Sequence, residues 1–194
     1  MYIMNADPLP VVKIVDIRSG KEVYSHEVPY PPHAPVHGQF RRFRMTSEGT
    51  FLAPYLSLGK AVEYDRDFHV LWEYPMDGCW AAIRLKNGNT LVTGEKGWVH
   101  REVDGKGRTV WQIAPEDIPE PYRPLCSQTC VRLDNGNTII CSMGRDGKGP
   151  QLVEVSPEKE VVWVIRDWKQ FGPCTAVQIL DDGGVPEEPG ACQR

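Results

Sequence analysis

The stretch Arg84–Gly94 reads RLKNGNTLVTG, and it returns forty-eight positions later at Arg132–Ser142 as RLDNGNTIICS. A chain that repeats itself at a period of a few tens of residues is built of copies that cannot bury their apolar faces alone and must stack on one another. The copies extend beyond the shared phrase. When the segments from Gln39, Cys79 and Ser127 are laid together, Arg44, Arg84 and Arg132 coincide, as do Thr50, Thr90 and Thr138. Glu63, Glu102 and Glu154 also coincide, and so do Trp72, Trp111 and Trp163. The threonines are 40 and 48 residues apart and the tryptophans 39 and 52. That drift belongs to loop insertions, because a shift inside a strand would reverse every side chain.

Each copy divides into four short strand-like pieces. In the second they fall at about 80–85, 90–94, 98–103 and 109–113, with KNGN and DGKGR as turns between them. Asn-Gly and Asp-Gly between β-rich segments are strong hairpin signals, and no segment holds a helical period. Four antiparallel strands per forty-odd residues predict an all-β fold, a β-propeller of four-stranded blades. The expected organisation is one domain over 1–194, with whole blades at 39–75, 79–113 and 127–166. Partial copies flank them. Residues 11–28 match the last two strands of a unit, with Ser19-Gly20 at the turn, and 174–184 match a first strand; a good second strand for that split blade is not evident. Three whole blades with split ends allow a compact four-blade ring, a homodimer completing a larger ring through exposed blade faces, or a piece of a longer propeller. The last two are preferred, since a half-ring leaves apolar sheet faces to cover.

Composition sets outer limits. The chain has 194 residues, 41% of them hydrophobic, and a net charge of −4. No basic field points to nucleic acid, and the apolar runs are too short for membrane insertion. The opening MYIMNADPLP lacks the basic segment and apolar core of a signal peptide, so the expected location is either the cytoplasm or, for a mature chain, the periplasm or exterior. Six cysteines (79, 126, 130, 141, 174 and 192) form no CxxC pair, which argues against a structural zinc site. No cofactor is expected.

Two phrases, NGNTL after the first strand and Glu102–Trp111 (EVDGKGRTVW), together with the C-terminal QILDDGGVPEEPG, resemble the bacterial quinoprotein-like and arylsulfotransferase-like propellers. The resemblance covers nearly the whole chain and is specific for the blade. It implies a relative of rings that carry six to eight blades, of which this chain has about half. Quinone-dependent members require calcium ligands from several blades, and none can be matched here. Arylsulfotransferases use a histidine as transient sulfate acceptor, and no histidine here sits in a motif that aligns with that role.

Repetition also sorts scaffold from site: whatever recurs in every copy serves the blade. The three tryptophans are read as plugs between neighbouring blades, and the Asn-Gly-Asn turns as backbone devices. The recurrent arginines and glutamates are read as partly buried hydrogen-bonded pairs between strands, with a ring of arginines holding an anion as the sharper alternative. Sites belong where the copies differ, on the first strands that line the channel: HGQFRRF, GCWAAI, CSQTCV and PCTAV. His37, Gln39 and Arg41 would alternate on one face of such a strand, with Trp80, Gln128 and Thr175 near equivalent positions. Cys79, Cys126 and Cys174 recur at 47 and 48 residues; three thiols near one axis would suit a soft metal, but their slipping register favours buried small residues. The proline-rich connections 29–38 and 114–125 both precede a first strand and should share one face, making His33, His37, Tyr122 and Arg123 candidates for a rim. GRDGKG at 144–149 lacks the ending of a phosphate loop and reads as an extended hairpin.

The expected function is a ligand- or partner-binding propeller without catalysis of its own, taking a small polar or anionic ligand at the channel mouth. The alternative is a sulfotransferase-like or quinoprotein-like enzyme using His33 or His37 with Arg41 or Arg123. A third reading is a repeat module within a larger carbohydrate-processing or surface assembly.

Overall fold

The computed structural model describes residues 2–4, 6–94, 97–177 and 179. Among these residues fifteen strands form four antiparallel sheets. The first sheet has three: β1 (Tyr2–Met4), β2 (Val11–Val15) and β3 (Glu22–Glu27). The next is a four-stranded meander of β4 (Arg44–Met45), β5 (Phe51–Tyr55), β6 (Lys60–Tyr64) and β7 (Val70–Pro75). A second meander follows with β8 (Cys79–Arg84), β9 (Thr90–Gly94), β10 (His100–Val103) and β11 (Thr109–Ile113). The third contains β12 (Ser127–Arg132), β13 (Thr138–Ser142), β14 (Leu152–Val155) and β15 (Val161–Ile165). The meanders pack face to face in chain order, β5 against β8 and β12 against β9. They are propeller blades. Among the described residues no helix is long and apolar enough to cross a membrane.

Turn chemistry sets the hairpins, and it repeats. Between the first and second strands of the later blades, Asn87 Oδ1 accepts the Asn89 amide at 3.0 Å and Asn135 Oδ1 the Asn137 amide at 2.9 Å. Gly88 and Gly136 between them sit at φ of 84° and 89°, which a side chain would strain. Between the third and fourth strands a short acceptor side chain caps the turn: Asp16 takes the Arg18 and Ser19 amides, and Asp65 those of Asp67 and His69. Asp104 takes those of Lys106 and Arg108, and Ser156 those of Glu158 and Glu160. A bulge follows Ile14, Glu63, Glu102 and Glu154 at the same place in all four sheets. Opposite these residues stand Tyr24, Trp72, Trp111 and Trp163. The first sheet is thus a degenerate copy, with Ile14 for the glutamate and Tyr24 for the tryptophan.

The core lies between the sheets. Aromatic side chains fill the first interface, with Phe51 5.7 Å from Tyr24, 5.8 Å from Phe43 and 5.3 Å from Phe68 between ring centroids. Leu52, Tyr74, Met76, Val92 and Val103 fill the second; Ile83, Leu91, Ile113, Ile140 and Val153 fill the third. The recurrent Arg–Glu pairs run from one blade to the next. Glu63 accepts Arg84 Nη2 at 2.6 Å and Thr50 Oγ1 at 2.7 Å. Glu102 accepts Arg132 Nη1 at 3.0 Å and the side-chain amides of Asn87 and Asn89. Arg132 also lies over the Trp111 ring, 4.5 Å from its centroid. On the outer face of the third blade Trp163 remains 44% exposed, while Val177 and Ile179 pack against Val131, Leu133 and Ile139.

Three details differ from the sequence reading. β1 is an extra strand: it flanks β2 in the place that a second strand holds in the whole blades. The first strand of the first blade is only Arg44–Met45, with bridges Phe40↔Tyr55 and Arg42↔Ala81 before it. Val36–Gly38 form a 3₁₀ turn, so His37, Gln39 and Arg41 do not alternate along a strand. The turn packs closely on the following hairpin, where a Cβ on Gly38 would fall 2.1 Å from Ser57 Oγ. The segment at 144–149 does join β13 to its antiparallel partner β14 as the loop of an extended hairpin; it contains a 3₁₀ turn, Arg145–Gly147, with Gly144 in the left-handed region beside the Trp168 ring. Of the expected terminal strand 174–184, residues 174–177 and 179 carry no strand; residues 178 and 180–184 lie outside the described residues.

Candidate functional site

The irregular backbone at 40–43 places two successive arginines on one cleft. Arg42 bridges in parallel to Ala81 and its amide meets Trp80 O at 3.4 Å, so the entrance of the first blade is tied to β8. The Arg41 guanidinium lies over Trp80, 5.1 Å from the ring centroid. Arg42 Nη2 donates to Thr175 O at 3.3 Å. Arg41, Arg42, Trp80 and Thr175 line a cleft of about 230 Å³. No carboxylate lines it among the described residues. Two guanidinium groups give the cleft a positive potential, and the indole adds a flat apolar wall. Such a pairing suits a small anion, or an anionic group carried on a flat ring.

The other expected site residues have different partners. His33 is exposed, sits at φ 57°, and its Nδ1 meets Asp7 Oδ1 at 2.8 Å. His37 is exposed in its 3₁₀ turn. Gln39 is fully buried; it accepts the Ala6 amide at 3.0 Å and donates to Ala6 O at 2.7 Å, holding the chain after β1. Tyr122 is exposed. Arg123 donates from Nε to Pro115 O at 2.8 Å and pairs with Glu120 at 3.0 Å, closing its own loop. That loop borders a separate cleft of about 350 Å³ with Lys148 and Arg166. Gln128 is buried in β12, its Nε2 pointing back to Cys126 O at 3.5 Å. The structure therefore brings Arg41, Trp80 and Thr175 together and adds Arg42. An alternation argument discards Arg42, since a neighbour of Arg41 in a regular strand faces the other way.

Metal chemistry has one geometric candidate among the described residues. Asp65, Asp67 and His69 offer ligand atoms within 4.8 Å of one another. Asp65 is already committed to capping its turn, and its Oδ2 meets His69 Nδ1 at 2.9 Å. The backbone amide of His69 holds the Asp65 carboxyl below its ordinary range, and Asp65 raises the His69 imidazole. Asp16 and Asp104 cap the equivalent turns with Arg18 and Arg108 alongside, so the cluster is a blade turn in a local variant. Cys79, Cys126 and Cys174 form no such group among the described residues. Cys79 is buried and its thiol is pushed far up by desolvation.

No protein-family model matches the chain, and no curated protein matches it. Solved structures do. A Bacteroides caccae protein of unknown function aligns with a TM-score of 0.73 at 24% identity, over 86% of this chain and 63% of the other. Virginiamycin B lyase from Staphylococcus aureus aligns with a TM-score of 0.57 at 11% identity, over 89% and 57%. Hydrazine synthase from Kuenenia stuttgartiensis gives 0.55 at 17% identity, over 80% and 43%. The chain thus spans between two-fifths and two-thirds of the length of these structures. At such identities the likeness carries the fold alone: this chain is built as successive blades of a β-propeller.

Proposed function

We propose that this chain is a binding module that takes a small anion, or the anionic group of a larger polar ligand, in the cleft of Arg41, Arg42, Trp80 and Thr175, without catalysis of its own. The observation that carries this reading is the convergence of two guanidinium groups, one of them stacked on Trp80, on a cleft with no lining carboxylate. Positions where the blades differ supply all four residues, whereas the repeated Arg84 and Arg132 are engaged with glutamates of the neighbouring blade. The two histidines considered for an acceptor role stand on the exposed connection, His33 against Asp7. Calorimetric titration with inorganic sulfate and with an aryl sulfate tests the proposal. Binding is expected for the native protein, with at least about tenfold loss in Arg41→Ala and in Arg42→Ala. Equal affinity in all three proteins contradicts it, and turnover of the aryl sulfate contradicts the absence of catalysis.

A second copy of the chain is proposed to cover the outer face of the third blade. Trp163 is exposed there, whereas its counterpart Trp111 is covered by Arg132 of the next blade. Light scattering should give twice the chain mass of 21.9 kDa; a stable monomer overturns the pairing.

A further inference from the structure

Cys141 is the penultimate residue of β13, deep in the third blade, and Cys174 follows the connection that leaves β15. The Cys174 amide donates to Ser142 O at 3.1 Å, which fixes the returning chain beside the end of β13. That anchor sets Cys174 beside the strand residue that follows Cys141, near enough for each thiol to shift the other's titration. Cys141 is buried, whereas Cys174 is half-exposed and lines a cleft of about 610 Å³ with Gln151, Leu152, Ile165, Gln170 and Phe171. An accessible sulfur beside a buried one, served by an open cleft, is the arrangement required for attack followed by resolution. The pairing is particular to the third blade: Thr93 and Ala53, both unreactive, hold the position of Cys141 in the earlier blades.

We propose that Cys174 and Cys141 form a thiol–disulfide exchange site whose substrate is the disulfide of a small-molecule thiol. The Cys174 thiolate attacks one sulfur of the substrate, forming a mixed disulfide at Cys174 and releasing one thiolate. Cys141 then loses its proton and attacks the Cys174 sulfur, releasing the second thiolate. Those two leaving thiolates take up the two protons given up by the protein thiols. The protein dithiol is oxidised to a Cys141–Cys174 disulfide, and one substrate disulfide is reduced to two thiols, so two electrons pass and none remain over.

The division of roles follows from the surroundings. The Cys141 thiol donates to the Cys174 sulfur, and the Ala176 backbone and the Arg42 charge add to that; together they bring the Cys174 thiol down to about 7. The same contact and burial hold the Cys141 thiol well above its ordinary value. In its neutral form Cys174 donates instead to Ala176 O at 3.3 Å. Arg42 Nη2 anchors the adjoining carbonyl of Thr175, so the cation stays close to the developing thiolate. A low-pKa attacking sulfur and a shielded resolving sulfur divide the two steps between them.

The test uses the reduced full chain with oxidised glutathione as the probe, followed by acid quenching and non-reducing peptide mapping. The native protein should yield a linked Cys141–Cys174 peptide pair and lose both thiols. Cys141→Ser should instead accumulate a glutathione adduct at Cys174. Alkylation of Cys174 in the native protein, which needs no variant, should fall about tenfold per pH unit below a midpoint near 7. A stable adduct at Cys174 in the native protein without linkage to Cys141 overturns the proposal. So does a Cys174 alkylation midpoint at the ordinary cysteine value, or linkage of Cys174 to a cysteine other than Cys141.

Discussion

Glu102 of β10 accepts Arg132 Nη1 of β12 at 3.0 Å across a blade boundary, both side chains about nine-tenths buried. The same carboxylate holds Asn89 at 2.6 Å from its own hairpin turn. One group therefore fixes a turn within its blade and the position of the next blade. Removing one partner of a buried pair strands the other charge. Glu102→Ala is expected to cost about 3–5 kcal/mol in urea unfolding. Glu22→Ala, which breaks the exposed pair with Lys13, is expected to cost under about 1 kcal/mol.

Equivalent tryptophans should differ in worth according to what covers them. Trp111 stacks under Arg132 and donates Nε1 to Pro157 O at 2.9 Å, in the following blade. Trp163 has the same place in the third blade and is 44% exposed. Trp111→Ala is expected to lower stability by about 3 kcal/mol and Trp163→Ala by about 1 kcal/mol, both read from denaturant midpoints at concentrations low enough to dissociate the proposed dimer.

Close backbone approach between blades gives a third expectation. A Cβ on Gly94 would lie 2.8 Å from Asp77 O and 3.0 Å from Met76 Cε, where β9 crosses the connection into β8. Gly105 has nothing within 4 Å of the same position. Gly94→Ala should destabilise by about 2 kcal/mol and Gly105→Ala by less than about 0.5 kcal/mol, measured as thermal midpoints side by side.

His100 gives the fold a defined response to acid. Its ring is fully buried in β10, neither nitrogen has a partner among the described residues, and burial pushes it down to about 3. An unfolded chain binds that proton near pH 6.5, so the folded state carries fewer protons below that point. The contribution of neutral His100 is complete above about pH 6.5 and is lost as pH falls toward 3, by up to about 1.4 kcal/mol per unit. His100→Leu should flatten the stability profile between those limits; a profile identical to the native one contradicts the assignment.

Much of the scaffold was legible because identical geometry demands identical residues. Glu63, Glu102 and Glu154 precede the same bulge, and Asp16, Asp65 and Asp104 cap the same turn. That the recurrent arginines and glutamates pair was legible; that each glutamate takes the arginine of the next blade was not, since aligned copies do not say which copy supplies the partner. β1 escaped notice because three residues are too few to show alternation. The candidate site was legible in part. Trp80 and Thr175 stand where copies disagree, but Arg42 was hidden by an assumed regular strand that Gly38 and the 3₁₀ turn interrupt. Arg123 looked available in sequence, yet its loop is rich in prolines that supply carbonyls and no amides, and the guanidinium answers those carbonyls.

The cleft of Arg41, Arg42, Trp80 and Thr175 is the central claim, and anomalous scattering from crystals grown with selenate, a sulfate analogue, tests it most directly. The account predicts a selenium peak within hydrogen-bond distance of the Arg41 and Arg42 guanidinium groups, beside the Trp80 ring, and its disappearance in Arg42→Ala. A selenium peak confined to the Arg123, Lys148 and Arg166 cleft, or a cleft at Trp80 without selenium at saturating selenate, contradicts it.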